Sequence, residues 1–321
     1  MADLIDHEGN EVAASSGGLF ESNDLLSSAS RTNFVEHYNR KTFMFPHGLC
    51  GHPLLAIPSL VALADRLGST GNSYWSNGSI EVDSGWDKGE KKAGVLAKAI
   101  SEIASNDSLV MLKGVVRDPV VGPFLKTVLN RIVELVGPKL EHDMIDARAT
   151  ILIASPKRIT TYHADADVNF LMQIAGDKDF SVFDHNDRKL VTEAEAERFL
   201  LGEHAAIRFR PEQQQHAVTH DLRPGYGAHV PCLAPHWAQN GNAMSVAISF
   251  NFDLRSIRQR TNVYKVNHHL RRLGLHPALP GNHVWADQLK HRSAEALLGA
   301  RHLIRSAQHP FHHGDRESLT S

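Results

Sequence analysis

From about Thr150 onward the chain breaks into short apolar runs: Ile151 to Ala154, Val168 to Ile174, Phe180 to Phe183, Ala206 to Phe209, His229 to Leu233 and Met244 to Phe252. These read as strands, and short strands at this spacing build a sandwich or a barrel. Asp184-His185-Asn186-Asp187 and Asn240-Gly241-Asn242 read as turns, and Glu193 to Leu201 as one inserted helix. What precedes is an α/β lead-in. Helices are expected over Ser59 to Leu67, Val95 to Ala104 and the stretch holding Leu125, Val128, Leu129, Ile132 and Val136, which Gly137-Pro138 ends, with a strand at Leu109 to Leu112. Beyond Arg255 the chain reads as helical again. The expected organisation is a tail over 1–30, an α/β region over 31–149 packed on the barrel, a β core over 150–254 and a helical region over 255–321. The tail expectation rests on Ala13 to Ser30, rich in Ser, Gly and Asn and too poor in large apolar groups to offset its ordering entropy.

Charge and cysteine usage exclude several classes of function. Lys plus Arg (34) against Asp plus Glu (36) gives a net charge of −2, so no overall basic field exists to hold phosphate backbones. A nucleic-acid partner is therefore not expected. Cys50 and Cys232 allow at most one disulfide, which fits a reducing compartment. The best apolar stretch, Leu54 to Leu67, is broken by Pro58 and Asp65, and Asp3, Asp6 and Glu8 stand where a secretory signal wants positive charge. The expectation is a cytoplasmic chain with no membrane partner.

Among 21 histidines, position decides which matter. In Thr160-Thr161-Tyr162-His163-Ala164-Asp165 a strand would turn His163 and Asp165 to one side, roughly 6 to 7 Å apart along the chain. His236, in Ala234-Pro235-His236-Trp237, is the best-placed third ligand. Two imidazoles and one carboxylate on one face of an octahedron leave open positions, the arrangement of non-haem Fe(II) oxygenases.

Further residues at fixed offsets sharpen this reading: Asn169-Phe170, Gln173-Ile174, Gly176 and Lys178 after the His-x-Asp pair, and Asn251 after His236-Trp237. Together they resemble the JmjC-type, cupin-like 2-oxoglutarate-dependent oxygenases, in particular the small hydroxylase branch. The likeness is dense over Thr160 to Phe183 and Pro224 to Phe252, about a third of the chain. It implies a double-stranded β-helix (jelly-roll) core, mainly β with flanking helices. It also implies Fe(II) held by His163, Asp165 and His236, with 2-oxoglutarate and O2 as co-reactants. Lys178 and Thr160 would hold the far carboxylate of the cosubstrate, and Asn169 and Asn251, both expected to be buried, would orient ligands or cosubstrate. The activity implied is hydroxylation of a C–H bond, or demethylation through it, with release of succinate and CO2. A cupin metal site with other chemistry, or a non-catalytic binding protein, stands beside this reading.

Other motifs carry less. His216 and His220 have the spacing of a helical metal pair but lack the Glu of a zinc hydrolase and precede a Pro-Gly turn. His268-His269 and His312-His313 read as exposed, and Cys232 reads as a small core residue. Arg255, Arg258, Arg260, Lys265, Arg271 and Arg272 form an acid-free basic segment, either a solvated helix face or a seat for an anionic partner. The substrate expected is a protein or amino-acid side chain, or a small molecule. Leu297, Leu298 and Ile304 offer a stripe for a homodimer or, in a monomer, for packing on the chain's own barrel.

Overall fold

The computed structural model describes residues 25–68, 73–78, 80–84 and 95–308, without the side chains of 298–308. The strands in chain order are β1 (Phe43–Pro46), β2 (Tyr74–Asn77), β3 (Ser108–Lys113), β4 (Met144–Ala154), β5 (Ile159–His163), β6 (Val168–Ala175), β7 (Lys178–Val182), β8 (Val218–Leu222), β9 (Tyr226–Val230), β10 (His236–Asn240) and β11 (Ser245–Leu254). They form two antiparallel sheets, β1-β9-β6-β11-β4-β3-β2 and β5-β10-β7-β8. From β4 to β11 the chain changes sheet at every step except β7 to β8, which pair as neighbours, giving β9-β6-β11-β4 in one sheet and β5-β10-β7-β8 in the other. That is the double-stranded β-helix. The β2–β3 pair and β1 extend the larger sheet at its two ends.

The helices are α1 (Arg31–His37), α2 (Ile57–Leu67), α3 (Val95–Ser101), α4 (Gly122–Val136), α5 (Pro138–Asp143), α6 (Glu193–Leu200), α7 (Arg255–Arg272) and α8 (Val284–Gln308). Apolar residues at helical spacing give α4 a buried stripe of Leu125, Val128, Leu129, Ile132 and Leu135. This stripe joins the main core with Phe170, Ile151, Ile153, Ile248, Phe250 and Phe252 of the larger sheet. Phe34 of α1 stacks on Phe170 at 5.4 Å and meets Phe45 edge-on at 5.0 Å. The opposite face of the same strands belongs to a second, smaller cluster between the sheets: Leu171, Ala228, Ala238, Ala247, Phe180 and Val182. Its small side chains leave room for a cavity.

Several expectations need correction. Ala206 to Phe209 is not a strand: Ala206 and Ile207 are buried by a loop without ladder bonds. Burial alone made that run look strand-like. Of the expected tail over 1–30, residues 1–24 lie outside the described residues, whereas Leu25 and Leu26 are buried and the Leu26 carbonyl accepts from Arg131 Nε at 3.1 Å. Gly176, at φ +68°, carries β6 of one sheet into β7 of the other, and a Cβ there would clash with the Met244 carbonyl oxygen.

The acid-free segment on α7 finds its acids on other helices: Arg258 pairs with Glu295, Arg260 with Glu193 and Arg271 with Glu197. Arg255, Lys265 and Arg272 remain exposed. Leu297 is exposed, while the side chains of Leu298 and Ile304, and all of His312-His313, lie outside the described residues. Among the described residues no helix is long and apolar enough to cross a membrane.

Candidate metal centre

His163 is the last residue of β5 and His236 the first of β10, and the two are paired in register. Asp165 lies two residues past the strand end, not within the strand as its alternation implied. It still reaches the same point: its Oδ2 is 3.9 Å from His163 Nε2 and 3.7 Å from His236 Nε2. Among the described residues these three form the one group of His, Cys, Asp and Glu whose ligand atoms converge, all within 4.8 Å of one another.

Hydrogen bonding fixes which ring nitrogens face inward. His163 Nδ1 donates to the Thr161 carbonyl at 2.7 Å and His236 Nδ1 to the Ala234 carbonyl at 3.0 Å. A carbonyl oxygen only accepts, so each Nδ1 carries a proton and Nε2 is the ring nitrogen turned toward a metal. Burial, followed by the neighbouring His163, pushes the His236 imidazole below its ordinary range and keeps it in the neutral, ligating form.

The ring pair opens into a cavity of about 1030 Å³ lined by all seven sequence-predicted residues: Thr160, His163, Asp165, Asn169, Lys178, His236 and Asn251. Thr160 and His163 are three apart and would point oppositely in a regular strand. A bulge removes the conflict. His236 pairs with His163 and Ala238 with Thr160, so β5 spends one extra residue between them and both side chains face inward. Lys178, at the start of β7, pairs with Asn240 of β10 and Leu222 of β8. Its ammonium is buried, has no carboxylate partner among the described residues, and is pushed down to about 8 by burial alone.

On the larger sheet Arg148, Asn251 and Asn169 lie side by side in register on β4, β11 and β6. Asn169 is buried and its Oδ1 has no partner. Asn251 is half-buried, less than expected; its Nδ2 donates to Asp167 Oδ1 at 2.9 Å and its Oδ1 accepts from Ser249 Oγ at 2.7 Å.

Sequence reasoning missed Asp167 and Arg148, which also line the cavity. The signals were present: Arg148 shares the strand face of Thr150 and Leu152, opposite Ile151 and Ile153, and Asp167 is two residues after Asp165. Burial, then the Asp165 carboxylate, raises the Asp167 carboxyl above the usual range, against Asn251 and Arg148. Trp237 does not line the cavity; its Nε1 donates to Gln214 Oε1 at 2.9 Å. Cys232 is a buried neutral thiol, raised well above its ordinary range by burial. His220 sits on β8 with Nε2 2.7 Å from Thr42 Oγ1, and His268 and His269 are exposed on α7.

No family model matches the chain, and no curated protein matches it. Among solved structures it is similar to YcfD, described as a ribosomal oxygenase from Escherichia coli, at 15% identity and TM-score 0.46 over 85% of this chain and 67% of that one. YcfD in complex with cobalt and 2-oxoglutarate gives 14% identity and TM-score 0.45 over the same shares. YcfD with cobalt and succinic acid gives 14% and 0.43, again over 85% and 67%. Identity this low and TM-scores below 0.5 leave function to this chain's own side chains.

Proposed function

We propose that the chain is an Fe(II)- and 2-oxoglutarate-dependent oxygenase that hydroxylates a C–H bond of a protein or amino-acid side chain or of a small molecule. The observation that carries this reading is the buried, unpaired Lys178 ammonium on the cavity that also holds His163, Asp165 and His236. A charge buried without a partner is costly, and a carboxylate ligand offsets that cost. The residues fit a divalent metal: two imidazoles with Nε2 turned inward and one carboxylate that cancels part of the ion's charge. Bound there, Fe(II) with 2-oxoglutarate and O2 supplies oxidative decarboxylation to succinate and CO2 and one oxygen atom for the substrate.

The chain's own residues bind and orient. Lys178 and the Thr160 hydroxyl receive the far carboxylate of the cosubstrate, Asn169 offers its unpartnered Oδ1 to the same chamber, and Asn251 steadies the segment carrying Asp165. Leu171, Phe180 and Ala238 wall off water around them. The volume, about 1030 Å³, is at the top of the usual range for small-molecule sites and leaves room for a substrate side chain beside the cosubstrate. Exposed Trp285, Leu289 and Leu297 on α8 support self-association, which sedimentation velocity tests.

The test is anaerobic titration of Fe(II)-loaded protein with 2-oxoglutarate, read by the visible metal-to-ligand charge-transfer band of the chelate, with His236→Ala as control. The band is expected in the wild type and not in the control. Its absence with iron bound would return the site to other cupin chemistry or to a non-catalytic role.

A further inference from the structure

Asp165 is the one member of the ligand group outside a strand. It stands in the crossing of residues 164–167 that leaves β5 in one sheet and enters β6 in the other, so no ladder hydrogen bonds fix it. Its position depends on tethers. The Asp165 carbonyl accepts from Leu233 N–H at 2.9 Å. At the end of the same crossing, the Asp167 carboxylate accepts from Asn251 Nδ2 on one oxygen and from Arg148 Nη2 on the other.

Arg148 is itself held at both ends of its fork, since Nη1 donates to Asp253 Oδ2 on β11. A guanidinium anchored this way is rigid, and charge-assisted bonds are the stronger kind. The bond does two things. It pins the ligand-bearing crossing to β4 and β11, and it turns Asp167 toward the larger sheet, so that a single carboxylate, Asp165, converges with the imidazoles.

We infer that Arg148, acting through Asp167, is a positioning residue that braces Asp165 for the metal. The inference rests on the metal reading of the cluster and extends it to two residues outside the ligand set. Losing an outer partner of this kind typically weakens metal binding roughly 10- to 100-fold.

The test uses the purified full chain without metal and Co(II) as the probe, titrated anaerobically and read by its visible d–d absorption, without reference to turnover. Arg148→Met is expected to weaken Co(II) binding by at least about tenfold, and Arg148→Lys to recover part of that loss. Asp253→Asn, which keeps an acceptor for Nη1 and removes only its charge, is expected to stay within about threefold of wild type. Metal-free Arg148→Met is expected to melt within ~3 °C of wild type, since the ion pairs are partly exposed. Wild-type protein that binds no Co(II) would remove the metal reading and the brace with it. Normal Co(II) binding by both wild type and Arg148→Met would overturn the brace alone, as would equal losses in Asp253→Asn and Arg148→Met.

Discussion

The two faces of β4, β6 and β11 differ as sharply as any two regions of the molecule. On the helix-covered face stand Ile151, Ile153, Val168, Phe170, Met172, Ile248, Phe250 and Phe252, all buried in one core. On the cavity face of the same strands stand Arg148, Thr150, Asn169, Leu171, Ser249 and Asn251. A period of two separates stability from chemistry along single strands. Substitutions on the two faces should therefore move different observables. The largest effect belongs to the ligand group: Asp165→Ala or His163→Ala should abolish turnover while shifting the metal-free melting temperature by no more than ~3 °C, because both side chains sit at a cavity wall. Unchanged turnover in either variant would break the assignment of the cavity face to catalysis.

Phe250→Ala tests the other side. Phe250 is fully buried and lies between Ala149 and Phe170 in the sheet, so its removal should cost about 3 to 5 kcal/mol in chemical denaturation. Co(II) binding by the remaining folded protein should stay within about threefold of wild type. A stability loss under ~1 kcal/mol would show that this face is not the main source of stability.

This contrast also explains what the sequence made legible. Bulky, continuous apolar runs exposed β6 and β11, and the His-x-Asp offset located two of the three side chains that converge. β1, at four residues, is too short to show a period, and β10, at five, sets the polar or small His236, Ala238 and Asn240 on one face. The bulge in β5 is a pairing property and leaves no local signal. The signals at Arg148 and Asp167 did not show that the two meet: that takes β4 and β6 flanking β11, whose Asp253 and Asn251 lie 105 and 84 residues along the chain from them.

Lys178 should reverse the sign seen for Phe250. Burial lowers its ammonium from 10.5 to about 8, so below about pH 8 both folded and unfolded chains hold the proton and the full burial penalty stands. Between about 8 and 10.5 the folded state releases it first, and the penalty fades as pH rises. Metal-free Lys178→Met should therefore be more stable than wild type below about pH 8, with the gain shrinking above it. Its 2-oxoglutarate affinity should fall roughly 10- to 100-fold, while Fe(II) affinity stays near wild type. In wild type that affinity should be flat below about pH 8 and decline above it, and the decline should vanish in the variant. Equal pH profiles for the two proteins would remove Lys178 from the cosubstrate site.

The smallest effect is the finest test, because it separates adjacent residues of the same type. Thr160 lines the cavity through the β5 bulge, whereas Thr161 does not line it and its hydroxyl is buried without a partner. Valine matches threonine in shape and removes only the hydroxyl's hydrogen bonding. Thr160→Val should weaken 2-oxoglutarate about fivefold, the value of roughly one neutral hydrogen bond, and leave stability near wild type. Thr161→Val should leave cosubstrate binding alone and raise stability by about 1 kcal/mol, since a buried unpaired hydroxyl is lost. The His163 anchor survives in both variants, because it bonds the Thr161 carbonyl and not the side chain. If Thr161→Val weakened 2-oxoglutarate and Thr160→Val did not, the bulge would turn the neighbouring hydroxyl inward instead, and the cavity face of β5 would be shifted by one residue.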